Sequence, residues 1–153
     1  MAEDDVDFVI AAYRDDGAWT VVELPARLGE DFEAFTGALA RFPSEVGVVG
    51  MASVNDDFFV IVRRSGDHVR ALLSDATAAW DWSIAVDLAE LVDAPDGDEE
   101  PVPVGDLEIV ADLGLASVEL GLLCDDDDLF PDEALAYVAE KLGFGDQFEA
   151  IVG

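Results

Sequence analysis

VGVVGMASVNDDFFVIVRRSGDHVRALL, residues 46–73, is the stretch whose reading decides the fold. It holds three apolar runs separated by two short polar breaks. Residues 46–53 (VGVVGMAS) and 58–63 (FFVIVR) are rich in valine, isoleucine and phenylalanine. Both are too short for a free-standing helix, so they read as buried strands. Residues 68–73 (HVRALL) follow in the same manner. Asn55-Asp56-Asp57 and Ser65-Gly66-Asp67 supply the turn chemistry between them. Connections this short cannot cross over a sheet, so the three strands form an antiparallel meander. Gly47 and Gly50 fit close packing or a bulge within the first strand.

Upstream, residues 7–13 (DFVIAAY) and 19–24 (WTVVEL) flank Arg14-Asp15-Asp16-Gly17, an Asp-Gly hairpin signature. From Asp31, Phe32, Phe35, Leu39 and Phe42 recur at helical spacing until Pro43 stops the run. Downstream, Ser74 or Asp75 is a candidate helix cap, and Ala76, Trp80, Ile84, Leu88 and Leu91 make one apolar stripe ending before Pro95. The order is ββαβββα. This predicts an α+β domain over residues 1–93, with helices laid on an antiparallel sheet of about five strands. The element order resembles the profilin-like, longin and roadblock group of scaffolding domains.

Residues 94–106, dense in proline, glycine and carboxylates, read as a linker. A helical C-terminal segment, residues 107–153, is expected to pack on the sheet domain. Within it, residues 117–123 (SVELGLL) suit a helix, and Leu135, Val138, Ala139 and Leu142 follow the i, i+3, i+4, i+7 rule. Pro131 suits the start of that second helix, Asp132 and Glu133 its positive end, and Lys141 its negative end. Gly143 supplies a left-handed stop, with Phe144 folding back on the last turn. Residues 146–152 form a last short helix.

Charge narrows function. The chain carries 36 acidic residues against 7 lysines and arginines, a formal charge of −29 over 153 residues. Such a field repels phosphate backbones and anionic membranes, which argues against direct nucleic-acid binding and for protein partners. A hydrophobic content of 52% places that charge on a folded body. The acidic N-terminus lacks the features of a signal peptide, and no apolar run reaches membrane-spanning length, so a cytoplasmic protein is expected. Arg63, Arg64, His68 and Arg70 form a basic island. It either pairs with the chain's own carboxylates or makes a candidate basic patch for an acidic partner.

No catalytic constellation emerges. One histidine and one cysteine cannot build a deaminase zinc site or an ordinary structural zinc site. A triad through His68 would lack a nucleophile elbow, and no phosphate-cradling glycine loop is present. Asp125–Asp128 lacks the spaced oxygens, the mid-loop glycine and the terminal glutamate of a calcium loop, so it reads as a solvated turn. Cys124, beside that acidic run, is expected to pack as a small apolar residue. Trp19, Phe58 and Phe59 read as core. Neither a metal nor a cofactor is expected. A carboxylate-only hydrolase would need two acids facing each other across a deep pocket.

Trp80 and Trp82 are too close in sequence to share one helix face, so one of them is a candidate partner anchor. With Leu129, Phe130 and Phe144 they make the candidate partner-binding set. Residues 120–124 (LGLLC), 129–135 (LFPDEAL) and 138–146 (VAEKLGFGD) resemble the tRNA adenosine deaminase-associated protein family of high-GC Gram-positive bacteria. Residues 72–76 (LLSDA) and the Asp-Gly-x-Trp hairpin near Trp19 fit that family too. The resemblance implies a non-enzymatic accessory protein that binds or regulates a tRNA adenosine deaminase, docking on its basic face. The alternative is a homo-oligomeric scaffold of roadblock or longin type, in which the chain is a homodimer.

Overall fold

The computed structural model describes residues 6–42, 47–54, 58–66, 68–75, 84, 87–88, 91, 104–125 and 129–152. The N-terminal hairpin pairs β1 (Val6–Asp15) with β2 (Ala18–Leu24) in antiparallel register from Val9↔Leu24 to Asp15↔Ala18. The register leaves a two-residue turn, Asp16-Gly17, with φ of 55° and 77°. Positive φ at both positions is the geometry whose twist matches that of the flanking strands, and Asp-Gly tolerates it. The chain then passes a 3-10 turn (Ala26–Glu30) into α1 (Phe32–Leu39). Asp31 caps α1, its carboxylate accepting from the Ala34 amide at 3.1 Å, which satisfies one of the unpaired donors of the first turn.

The meander follows as β3 (Val48–Val54), β4 (Phe58–Ser65) and β5 (His68–Leu73). With β6 (Val104–Gly105) the sheet has order β2-β1-β3-β4-β5-β6, antiparallel throughout. The α+β class is as the sequence implied, with five full strands and a two-residue sixth inside the stretch read as linker. The helix turn that Ser74 or Asp75 is expected to cap lies outside the described residues, but Ser74 has a role in the sheet. Its buried hydroxyl accepts the Phe59 amide at 2.9 Å while its own amide donates to the Phe59 carbonyl at 3.1 Å, extending the β4–β5 ladder by one bridge.

Both faces of the sheet are covered. On one, Val9 and Ala11 of β1, Ala52 of β3, Val60 and Val62 of β4 and Leu73 of β5 pack against Phe32, Phe35 and Leu39 of α1. Ile84 and Leu88, both helical, join this layer, whereas Leu91 of the expected stripe is exposed. Ala76 and Trp80 lie outside the described residues. Gly50 allows the close approach here: a Cβ at that position would come within 2.6 Å of the Phe35 ring. Burying a phenylalanine such as Phe35 stabilises by about 1.5–3 kcal/mol.

The other face carries Phe8, Ile10 and Ala12 of β1, Val49 and Met51 of β3, Phe59 and Ile61 of β4 and Leu72 of β5. A bulge between Val6 and Phe8 sends Val6 to the α1 side while Phe8 faces the opposite core. Covering this face are α2 (Ser117–Asp125), α3 (Pro131–Leu142) and α4 (Gly145–Val152). Leu135, Val138, Ala139 and Leu142 form the buried stripe of α3 that the sequence indicates. Pro131 opens the helix, and Gly143 ends it at φ 109°. The Phe144 amide donates to the Ala139 carbonyl at 2.9 Å, the six-to-one bond of a Schellman stop.

Trp19 receives this corner. Its ring lies 4.9 Å from that of Phe144 and 4.9 Å from the Arg14 guanidinium. Gln147 of α4 donates to the Trp19 carbonyl at 3.3 Å. That bond covers part of the β2 edge, which would otherwise offer unpaired backbone groups to another chain.

Candidate functional site

The basic island resolves first. Arg63 and Arg70 stand opposite each other on β4 and β5, an arrangement in which like charges repel. Each is neutralised by the segment running from β6 towards α2. The Arg63 fork grips Asp112 at 2.5 and 2.9 Å and also donates to the Ile109 carbonyl at 2.9 Å. Arg70 pairs with Asp106 at 2.6 Å and donates to the Glu108 carbonyl at 3.1 Å. Arg64 donates to the carbonyls of Thr36 and Gly66 at 3.0 and 2.9 Å.

The basic patch is therefore corrected at Arg63, Arg64 and Arg70. These cations clamp the chain's own segments, and Arg63 is buried; only His68 stays exposed. The Arg63 guanidinium holds the Asp112 carboxyl below its ordinary range, chiefly by hydrogen bonding; desolvation opposes this, and the charge of Arg63 adds a lesser lowering.

The partner-binding set divides as well. Phe144 is wholly buried against Trp19, so the last-turn contact removes it from the surface. Trp80 and Trp82 lie outside the described residues. Phe130, just before α3, is 59% exposed, and Leu129 lies partly buried beside it.

Leu129 belongs to a concave feature of this face. An open groove of about 710 Å³ runs between α2, α3 and α4, with Leu123, Leu129, Ala136 and Tyr137 along it. Glu133, Glu140, Asp146 and Glu149 line it too. Glu133, Glu140, Asp146 and Glu149 are all exposed. Gly145 lets α4 approach α3 closely: a Cβ there would sit 3.1 Å from the Glu140 Cα.

Tyr137, 38% exposed, donates its hydroxyl to Glu119 at 3.1 Å, and Lys141 lies 5.4 Å from its ring centroid and 3.9 Å from Glu119. Alongside on α2, Val118 and Leu122 are 74% and 64% exposed. Among the described residues, four of the five exposed large apolar side chains thus gather on α2, on α3 and at the start of α3. Scattered singly they would mean little; here they lie on, or just before, the helices that build the acid-lined groove.

Glu133, which the sequence suggests only as a complement to the helix dipole, and Ala136, Tyr137 and Glu140, to which it assigns no role, follow i, i+3, i+4, i+7 on the side of α3 away from its core stripe. Val118 and Leu122 are a further i, i+4 pair, on a helix whose apolar residues are spread around it. None of the groove carboxylates is a dry acid or base facing a partner acid. Cys124 packs against the core, and burial, with the charge of Asp125 adding to it, pushes its thiol up to about 12. Of the acidic run, residues 126–128 lie outside the described residues. Among those described, no set of three ligating side chains could hold a metal ion, and no helix is long and apolar enough to cross a membrane.

Fold and groove define an acidic α+β protein with helices on both faces of an antiparallel sheet and an amphipathic groove on one of them. The chain belongs to the Rv3753c-like tRNA adenosine deaminase-associated protein family, whose model matches residues 7–145. Protein Rv3753c of Mycobacterium tuberculosis (strain ATCC 25618 / H37Rv) is 37% identical over 150 residues, covering 95% of this chain and 87% of the relative. The family is described as associated with the deaminase, not as the deaminase itself. No solved structure matches the chain significantly.

Proposed function

We propose that this chain is a cytoplasmic, non-enzymatic accessory protein that binds a tRNA adenosine deaminase and modulates it. The observation that carries the reading is family membership together with the acid-lined apolar groove of α2–α4, a surface suited to a protein partner. One histidine and one cysteine in the whole sequence leave no ligand set for a deaminase zinc site of its own. A net charge of −29 disfavours tRNA as the direct ligand and favours fast encounter with a basic protein surface. An enzyme that grips tRNA needs such a surface, so the accessory would compete with the substrate or guide its access.

The test is co-purification of the two proteins, with deamination of a tRNA substrate followed as the accessory is added. A complex that forms at low salt, loosens at moderate salt and changes the deamination rate supports the reading. Absence of a complex at low salt, or direct capture of tRNA by this chain alone, rejects it. A stable homodimer by light scattering, with no affinity for the deaminase, would favour the scaffold reading instead.

A further inference from the structure

The groove between α2, α3 and α4 has a definite chemical preference. Its apolar side chains are Leu123, Leu129, Ala136 and Tyr137, and its acids are Glu133, Glu140, Asp146 and Glu149. The apolar set asks for an aliphatic or aromatic stripe. Acids along the same groove ask for lysine or arginine flanking that stripe, since an acidic or neutral segment would leave them facing like charge or nothing. The chain's one lysine, Lys141, is engaged with Glu119 and the Tyr137 ring. Among the described residues, no ion pair neutralises the four groove acids.

We infer that this groove is the docking site for a cationic amphipathic helix supplied by a protein partner. The inference rests on the accessory reading for the identity of that partner, but not for the chemistry of the site. The incoming helix would lay apolar residues at i, i+3 or i+4 and i+7 onto Leu123, Leu129 and Tyr137. Its basic residues would flank them towards Glu140 on one helix and Glu149 on the other. Val118, Leu122 and Phe130, all exposed, extend the apolar contact beyond the groove.

The experiment titrates the isotope-labelled full chain with a synthetic leucine–lysine peptide of about 14 residues at helical spacing, roughly 21 Å of helix. A scrambled peptide of equal composition and charge serves as control. Two double variants are compared: Glu140→Lys with Glu149→Lys in the groove, and Asp15→Lys with Glu23→Lys at exposed positions of the β1–β2 hairpin. Both alter net charge equally. Chemical-shift changes confined to α2–α4, with affinity reduced about tenfold by the groove variant and little by the hairpin variant, are expected. Equal binding of the scrambled peptide, shifts spread over the surface, equal losses in both variants, or no binding would each overturn the inference.

A second arm replaces the peptide by the purified deaminase. Loss of its binding in the groove variant alone supports the inference. Undiminished binding there overturns it while leaving the accessory role standing. A peptide that seats in the groove while the deaminase fails to bind rejects the accessory role and leaves the groove's preference intact.

Discussion

Replacing Arg63 by methionine tests whether the segment leading into α2 is held to the sheet by charge or merely by packing. Methionine keeps an unbranched stem of similar length and removes the fork. The bonds lost include two to Asp112 and one to the Ile109 carbonyl. Ile109 is fully buried, so its carbonyl is left without that partner in a dry place, at about 1–3 kcal/mol. The side chain of Asp112 is 59% exposed and can return to water. The ion pair itself therefore adds no more than about 1 kcal/mol.

Against these, methionine escapes the desolvation that Arg63 suffers. The net loss therefore stays below the roughly 3–5 kcal/mol typical of a broken buried pair. We expect about 1–3 kcal/mol, set by the orphaned carbonyl. With a urea dependence of about 2 kcal/mol per molar, the unfolding midpoint falls by roughly 0.5–1.5 M. Asp112→Asn should cost less than half as much. A midpoint unchanged within about 0.2 M, or an Asp112→Asn loss as large as that of Arg63→Met, would contradict the clamp.

Acidity should act through the same pair. Because the Asp112 carboxyl is held below its ordinary 3.8, its contribution is fully present above that value and lost as pH falls through the lower native one. The stability gap between wild type and Asp112→Asn should therefore be constant from about pH 7 to about pH 5 and close in more acid solution, as read by urea midpoints. Cys124, its thiol raised from 9.0 to about 12, should react with a thiol reagent at mildly alkaline pH about a thousandfold more slowly in the native chain than in urea; equal rates would contradict its burial. At Gly50 a new methyl would meet the Phe35 ring at 2.6 Å. Gly50→Ala should accordingly cost about 1–3 kcal/mol, and thermal unfolding would report it. Gly143 has φ of 109°, and a Cβ there finds only Trp19 atoms, at 3.5 Å. Gly143→Ala should lose about 1–2 kcal/mol from backbone strain alone, read in the same assay.

The strands are legible because each is a short β-branched run between polar turns, and α3 because its stop chemistry and apolar stripe agree. The bulge that separates Val6 from Phe8 leaves no sign, since both residues are simply apolar. Val104–Gly105 is hidden inside a proline-rich acidic stretch; it forms a strand only because β5 offers an open edge. The basic island misleads as a patch for a related reason. Asp106 lies 36 residues from Arg70 and Asp112 lies 49 from Arg63, and pairing across such distances is a product of the fold. Phe144 suits two roles by sequence, a cap contact and a surface anchor, and only the cap contact is compatible with its burial. The groove escapes because three helices build it, although the i, i+3, i+4, i+7 row from Glu133 to Glu140 is present to be read.

A calorimetric titration of the full chain into purified tRNA adenosine deaminase at two salt concentrations is the decisive test of the accessory role. Saturable binding is expected at low salt, weakened about tenfold or more at moderate salt, and abolished by Glu140→Lys with Glu149→Lys. No heat of binding at low salt, from a chain that is folded and monodisperse, would contradict it.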